Sequence, residues 1–193
     1  MRSSLSAIGN VTKEQFLKLK IFRKWPRRTP YHGIRGCQPL NQICRFSSKV
    51  LVPLLVVNSK LSVLFTKRSI HLKQHRGEVC FPGGKMESEE TAEETALRET
   101  HEEIGLDPKS VEVWGRLKPV LTRTLVETVV PVVGCINEDA LNSKLMNKNE
   151  VQTLFSAPLD ELCQTARYTH FSTKMVDFKL PVFFTKEFTI FTF

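Results

Sequence analysis

Between Gly84 and Leu106 the chain reads GKMESEETAEETALRETHEEIGL, and three of its acids, Glu99, Glu102 and Glu103, fall at i, i+3 and i+4 just ahead of Gly105. Like charges at that spacing destabilise an isolated helix by roughly 0.2–0.5 kcal/mol per pair. The arrangement makes chemical sense if something strongly positive sits among them. A divalent cation turns the repulsion into a set of oxygen ligands, the type that hard Mg²⁺ prefers.

A helix from about Thr91 to Ile104 must carry these acids. Thr91 with Glu94 three residues on forms a capping box, and Gly105 suits the position just past the helix end. At about 100° per residue from Ala92, the residues Ala96, Thr100, Ile104 and Leu97 make one buried stripe. Glu99 and Glu103 then lie about 20° to either side of Ala92, with Glu102 at about −80°. The acids border the apolar stripe, whereas a merely solubilising acidic face would lie opposite it. His101, on that opposite side, is expected to be exposed. Pro82-Gly83-Gly84 supplies backbone N–H groups and dihedrals that a residue with a Cβ adopts only at a cost. Arg98 can lock Glu90, eight residues earlier, in a buried ion pair that fixes the junction between loop and helix.

The strands that frame this helix are also legible. Val50–Val57 is a continuous apolar run, too short for a lone helix and rich in β-branched residues. Asn58-Ser59-Lys60 turns it into Leu61–Lys67. Arg68–Arg76 is a polar loop that carries Arg68, His71, Lys73, His75 and Arg76. Glu78–Phe81, Val111–Leu117, Leu125–Ile136, Val151–Ala157 and Phe178–Phe184 read as further strands, and Pro158–Arg167 as a short helix. The class is α/β or α+β with a mixed sheet.

At 193 residues the chain has room for one domain with a real core and a short appendage. Its charge of +8 would fit a nucleic-acid binder if it were spread over the body, but it is not. Of 28 Lys and Arg, 11 lie in the first 50 residues against one acid, Glu14, which leaves 17 bases and 19 acids for the rest. No nucleic-acid partner is therefore expected for the body. Residues 1–46 are Arg-rich and nearly acid-free, and Val11–Trp25 can form a basic amphipathic helix. This fits a mitochondrial transit peptide ahead of a domain spanning 47–193. The plainer alternative is a disordered basic arm or a helix packed on the domain. No stretch reaches the ~18 apolar residues of a membrane span. Five scattered cysteines without paired spacing read as reduced thiols.

Gly84, Glu90, Arg98, Glu99, Glu102, Glu103 and Gly105, with Leu106 in the last apolar slot, reproduce the Nudix box, and the chain resembles that hydrolase family. Thr100 in the first apolar slot is the one departure. The resemblance implies an α/β/α sandwich whose Glu99 and Glu103, helped by Glu102, bind Mg²⁺ or Mn²⁺ over a diphosphate. It leaves two candidates for the base that takes the proton of water, Glu102 and Glu150, the latter because relatives often supply it from a later loop. An ordinary solvated loop acid is the alternative for Glu150.

Leu64–Gly84 (LFTKRSIHLKQHRGEVCFPGG) further resembles the signature of the coenzyme A diphosphatase branch, and Val111–Val120, Val129–Ile136, Asn149–Leu162, Tyr168–Phe171 and Leu180–Phe184, with the Arg-rich N-terminus, resemble its mitochondrial members in particular. Thr66, Arg68, Ser69, Gly77, Phe81, Pro82, Gly83 and Gly84 are in register, while Lys73 stands where the branch usually has Arg. The likeness covers roughly Val50–Phe184. It implies cleavage of coenzyme A or acyl-CoA to 3′,5′-ADP and (acyl-)4′-phosphopantetheine. Arg68, Lys73, His75, Arg76, Gly83 and Gly84 would hold the phosphates; a merely solvated basic loop is the alternative. Two other functions stay open: a diphosphatase for ADP-ribose or NADH, and a Nudix-fold module that binds a nucleotide without turning it over. Relatives continue into a final helix after the segment matching Leu180–Phe184. That helix is expected to be missing here, leaving apolar sheet surface exposed.

Overall fold

The computed structural model describes residues 47–122, 127–165, 167–172, 177–185 and 188–191. The basic segment 1–46, with the transit-peptide reading and with Cys37 and Cys44, lies outside the described residues.

The apolar run forms β1 (Ser47–Val57), which turns at Asn58 and Ser59 into β2 (Lys60–Arg68). Both turn residues have positive φ, 49° and 61°, as a two-residue hairpin that follows the strand twist requires. Next come β3 (Val79–Cys80), β4 (Gly83–Lys85), helix α1 (Ala92–Ile104), β5 (Val111–Arg116), β6 (Val120–Leu121) and β7 (Thr128–Ile136). The chain continues through β8 (Val151–Pro158) and helix α2 (Leu159–Thr165) to β9 (Arg167–Ser172), β10 (Asp177–Phe184) and β11 (Thr189–Phe191).

β1 and β7 pair in parallel at the centre of a mixed sheet ordered β3-β2-β1-β7-β5, with β4 on β1, β6 on β7 and β8 on β2. β9, β10 and β11 make a second, antiparallel sheet. β1 is apolar from Val50 to Val57 because it is covered on both sides. Leu51 and Leu55 pack under α1 with Ala92, Ala96, Ile104, Val132 and Ile136. Leu54 packs on the other face with Val63, Phe65, Val133, Leu162 and Ile190. On this face Leu162 of α2 and Ile190 of β11 are buried, while Tyr168 of β9 and Phe184 of β10 are exposed.

Of the strands named from sequence, the one at 125–136 begins at Thr128 among the described residues. β4, β6, β9 and β11 have no counterpart among the strands expected from sequence, being short or weakly periodic. Among the described residues Cys80, Cys135 and Cys163 are free thiols. No helix there is long and apolar enough to cross a membrane.

Candidate active site

Helix α1 begins as its residues require. The Thr91 side chain accepts from the Glu94 N–H, and Glu94 accepts in return from the Thr91 N–H at 2.8 Å. Gly105 ends the helix at φ 70°. Ala92, Ala96, Thr100 and Ile104 are buried as the stripe predicts, while Leu97 is half-buried and His101 exposed. Glu90 and Arg98 meet in a two-pronged pair, Nε to Oε1 at 2.6 Å and Nη2 to Oε2 at 3.1 Å. Arg98 also donates to the Lys85 carbonyl, so it ties helix, loop and β4 together. The pair is half-exposed at its rim, not fully buried.

The three acids of the helix part company. Glu103 is 3 % exposed, Glu99 half-buried and Glu102 exposed. Glu103 Oε2 accepts from the Gly83 N–H at 3.2 Å, and its Oε1 faces Arg68 Nη1 at 3.6 Å. Burial, reinforced by Glu150 and Glu99, pushes the Glu103 carboxyl up to about 7 against the pull of Gly83 and Arg68. Burial also raises Glu99; Arg98, 3.1 Å away, opposes the rise, while Glu102 and Glu150 add to it. Glu102 stays on the wet side, with Arg98 Nη1 at 3.3 Å.

Gly83 and Gly84, expected as a loop, open strand β4, and Gly84 shows why no side chain is present there. A Cβ on it would lie 2.4 Å from the Glu99 carboxyl, and one on Gly83, at φ 151°, would lie 2.2 Å from the Lys49 carbonyl oxygen. The two glycines therefore let β4 lie against β1 while the Glu99 carboxyl lies against Gly84.

Glu150 is 47 residues from Glu103 in sequence, yet it contributes to the charge felt by both Glu99 and Glu103. Asn147 brings it there. Its N–H donates to the Glu103 carbonyl at 3.0 Å, and its Nδ2 donates to Glu150 Oε1 at 3.2 Å. The Ser69 N–H closes the arrangement on the Glu150 carbonyl at 2.8 Å. The sequence reading missed Asn147; its only local signal is a side-chain oxygen that caps its own turn by accepting from the Asn149 N–H.

The basic loop divides. Strand alternation puts Leu64, Thr66 and Arg68 on the α1 side of β2, and a register shift against β8 falls at Lys67/Arg68, where irregular pairing re-aims a side chain. Arg68 thus faces Glu103, while Lys67 on the opposite face lies 5.0 Å above the Phe188 ring. His75 is held by Glu78 at 2.8 Å, and Lys73 and Arg76 are exposed. The structure brings Arg68, Gly83, Gly84, Glu99, Glu103 and Glu150 to one place and leaves Lys73, His75 and Arg76 at the rim.

The donor set fits a hard divalent cation: carboxylate oxygens, two of them lifted by burial and mutual repulsion, at the edge of a rigid helix. Among the described residues, no three acids converge to coordinating geometry. Glu99 and Glu103 are instead turned to Arg98 and Arg68.

Residues 48–177 match the NUDIX domain, and the chain belongs to the Nudix family. Members of this family use divalent metal ions. Nudix hydrolase 3 of Caenorhabditis elegans is 51 % identical over 142 residues, covering 73 % of this chain and 59 % of that protein. The mitochondrial coenzyme A diphosphatase of Mus musculus is 42 % identical over 142 residues, covering 71 % of this chain and 67 % of its own. The peroxisomal coenzyme A diphosphatase of the same organism is 46 % identical over 114 residues, covering 58 % and 46 %. The chain therefore spans about 60 % of the length of the first of these relatives. A solved Nudix hydrolase from M. smegmatis shares the fold, with a TM-score of 0.51 at 22 % identity over 62 % of this chain and 74 % of that one.

Proposed function

We propose that the protein hydrolyses the diphosphate of coenzyme A or an acyl-CoA to 3′,5′-ADP and (acyl-)4′-phosphopantetheine. The observation that carries this is the buried Glu103, held by the Gly83 N–H and facing Arg68, with Glu99 against Gly84. Its relatives named for coenzyme A diphosphatase activity, at 42 % and 46 % identity, support the substrate.

Glu99 and Glu103, with Glu102 assisting, would hold Mg²⁺ or Mn²⁺. Such an ion supplies charge neutralisation at phosphorus and a lowered pKa for water. Arg68 orients the diphosphate through its planar fork of donors. Lys73, His75 and Arg76, at the rim, fit the additional 3′-phosphate. Water attacks phosphorus, the P–O–P bridge breaks, and the leaving phosphate takes the bridging oxygen. Of the two candidate bases, Glu150 is favoured. It is half-buried and oriented by Asn147, whereas Glu102 is exposed and engaged by Arg98.

Incubating the protein with coenzyme A and Mg²⁺ or Mn²⁺ and separating the products tests this reading. Release of 3′,5′-ADP is expected, along with slower turnover of dephospho-CoA, ADP-ribose and NADH. Preference for the last two would support a different diphosphatase, and no product from any of them would leave only nucleotide binding. Residues 1–46 are proposed to direct the chain to mitochondria. A reporter carrying them that stays in the cytosol would refute that.

A further inference from the structure

Arg68 and Arg98 each face an acid of helix α1, but they are used very differently. Arg98 spends its donors on Glu90, Glu102 and the Lys85 carbonyl. Arg68 makes one ion-pair contact, Nη1 to Glu103 Oε1 at 3.6 Å, which is too long for a hydrogen bond. Its buried Nε has no hydrogen-bond partner among the described residues. Buried guanidinium donors are ordinarily satisfied, so apart from an interaction with the Cys80 thiol this side chain rests in a pose that leaves its Nε donor unspent. The carboxylate opposite is divided as well. Oε2 of Glu103 is engaged by the Gly83 N–H, and Oε1, the oxygen left for a cation, is the one Arg68 faces.

We infer that Arg68 and a divalent cation compete for Glu103, and that Arg68, once displaced, turns its guanidinium to the phosphates of the substrate. The inference rests on the hydrolase reading above. A positive charge beside Glu103 Oε1 repels a dication approaching the same oxygen. Displacement removes that repulsion and frees a rigid fork matched to phosphate, beside the start of β4 at Gly83 and Gly84. An anion that engages Arg68 therefore strengthens cation binding, and the cation strengthens anion binding by the same factor. Arg68 is in this sense a positioning residue that couples the two.

Calorimetric titration of the full chain with Mn²⁺ alone tests the competition. Arg68→Gln is expected to bind Mn²⁺ about tenfold more tightly than the unaltered protein, and Arg68→Lys, which keeps the charge, to bind within about twofold of it. Saturating 3′,5′-ADP should tighten Mn²⁺ binding several-fold in the unaltered protein and leave Arg68→Gln unchanged. Equal or weaker Mn²⁺ binding by Arg68→Gln overturns the inference while leaving the hydrolase reading intact. Conversely, the inferred Mn²⁺ behaviour without 3′,5′-ADP release from coenzyme A sinks the substrate assignment alone. Should Arg68→Gln fail to fold, the Nε–H resonance of Arg68 in the unaltered protein serves instead. It should move on addition of Mg²⁺, and a stationary resonance overturns the inference.

Discussion

Two arginine–glutamate pairs flank helix α1, Glu90–Arg98 towards its start and Glu103–Arg68 at its end, and they do opposite things. At the start, Glu90 accepts two hydrogen bonds from Arg98 and others from Thr95 and the Glu87 N–H, and these hold its carboxyl down at about 2. At the end, Glu103 has one hydrogen bond and a loose arginine, and burial drives it up to about 7. The first pair is complete and maintains geometry. The second is incomplete, which is what a site must be if a ligand is to take over one of its partners. Hydrogen-bond completeness, more than charge, distinguishes the two pairs.

The comparison breaks most sharply at Glu103 itself. Glu103→Gln is expected to lower coenzyme A hydrolysis by roughly a thousandfold while raising the melting temperature in chelator, because a poorly compensated buried charge is gone. Glu90→Gln should do the reverse, lowering the melting temperature with a smaller loss of turnover. If Glu103→Gln melts lower in chelator, the two pairs are alike and the contrast fails. Next in size, Glu150→Gln should cost about a hundredfold in kcat with little change in KM, the range for a general base. Loss of the same size in Glu102→Gln but not in Glu150→Gln would move the base to the exposed acid.

Gly84→Ala comes third. Its Cβ would displace the Glu99 carboxyl, so turnover should fall about tenfold to a hundredfold, with the fold retained as judged by circular dichroism. Unchanged turnover would mean that Glu99 can shift without cost.

The pH dependence of stability in chelator sharpens the contrast last. Glu103 binds its proton more tightly folded than unfolded, so its contribution declines as pH rises from about 4.5 to about 7, by roughly 3 kcal/mol if it acted alone. Glu90 has the opposite sign: its contribution is present above about 4.5 and is lost as pH falls toward 2. Denaturant midpoints should therefore fall between pH 5 and 7.5 in the unaltered protein and flatten in Glu103→Gln. An unaltered slope in that variant would refute the assignment.

Helix α1 was legible to the residue, from the Thr91 cap to Gly105, because caps and the 3.6-residue period are written within a few positions of where they act. The hairpin at Asn58-Ser59 was legible for the same reason. β9 and β11 were not, since short strands take their stability from a neighbour across the sheet and leave little local pattern. The basic loop divides in a way that no local pattern announces: of Arg68, Lys73, His75 and Arg76, only Arg68 turns to the acids of α1, since it is the last residue of a strand and the others follow in a loop.

By itself, then, the amino-acid order determined the helix, its caps and the side on which the acids run. All of these rest on hydrogen bonds and periodicity spanning at most a few turns. Only the tertiary structure decided that Glu103 is the buried acid while Glu102 faces water, that Asn147 brings Glu150 to them, and that Arg68 stands opposite. Those outcomes depend on segments tens of residues apart meeting across the sheet, where desolvation and cross-chain contacts set each side chain's charge, and no local pattern encodes such a meeting.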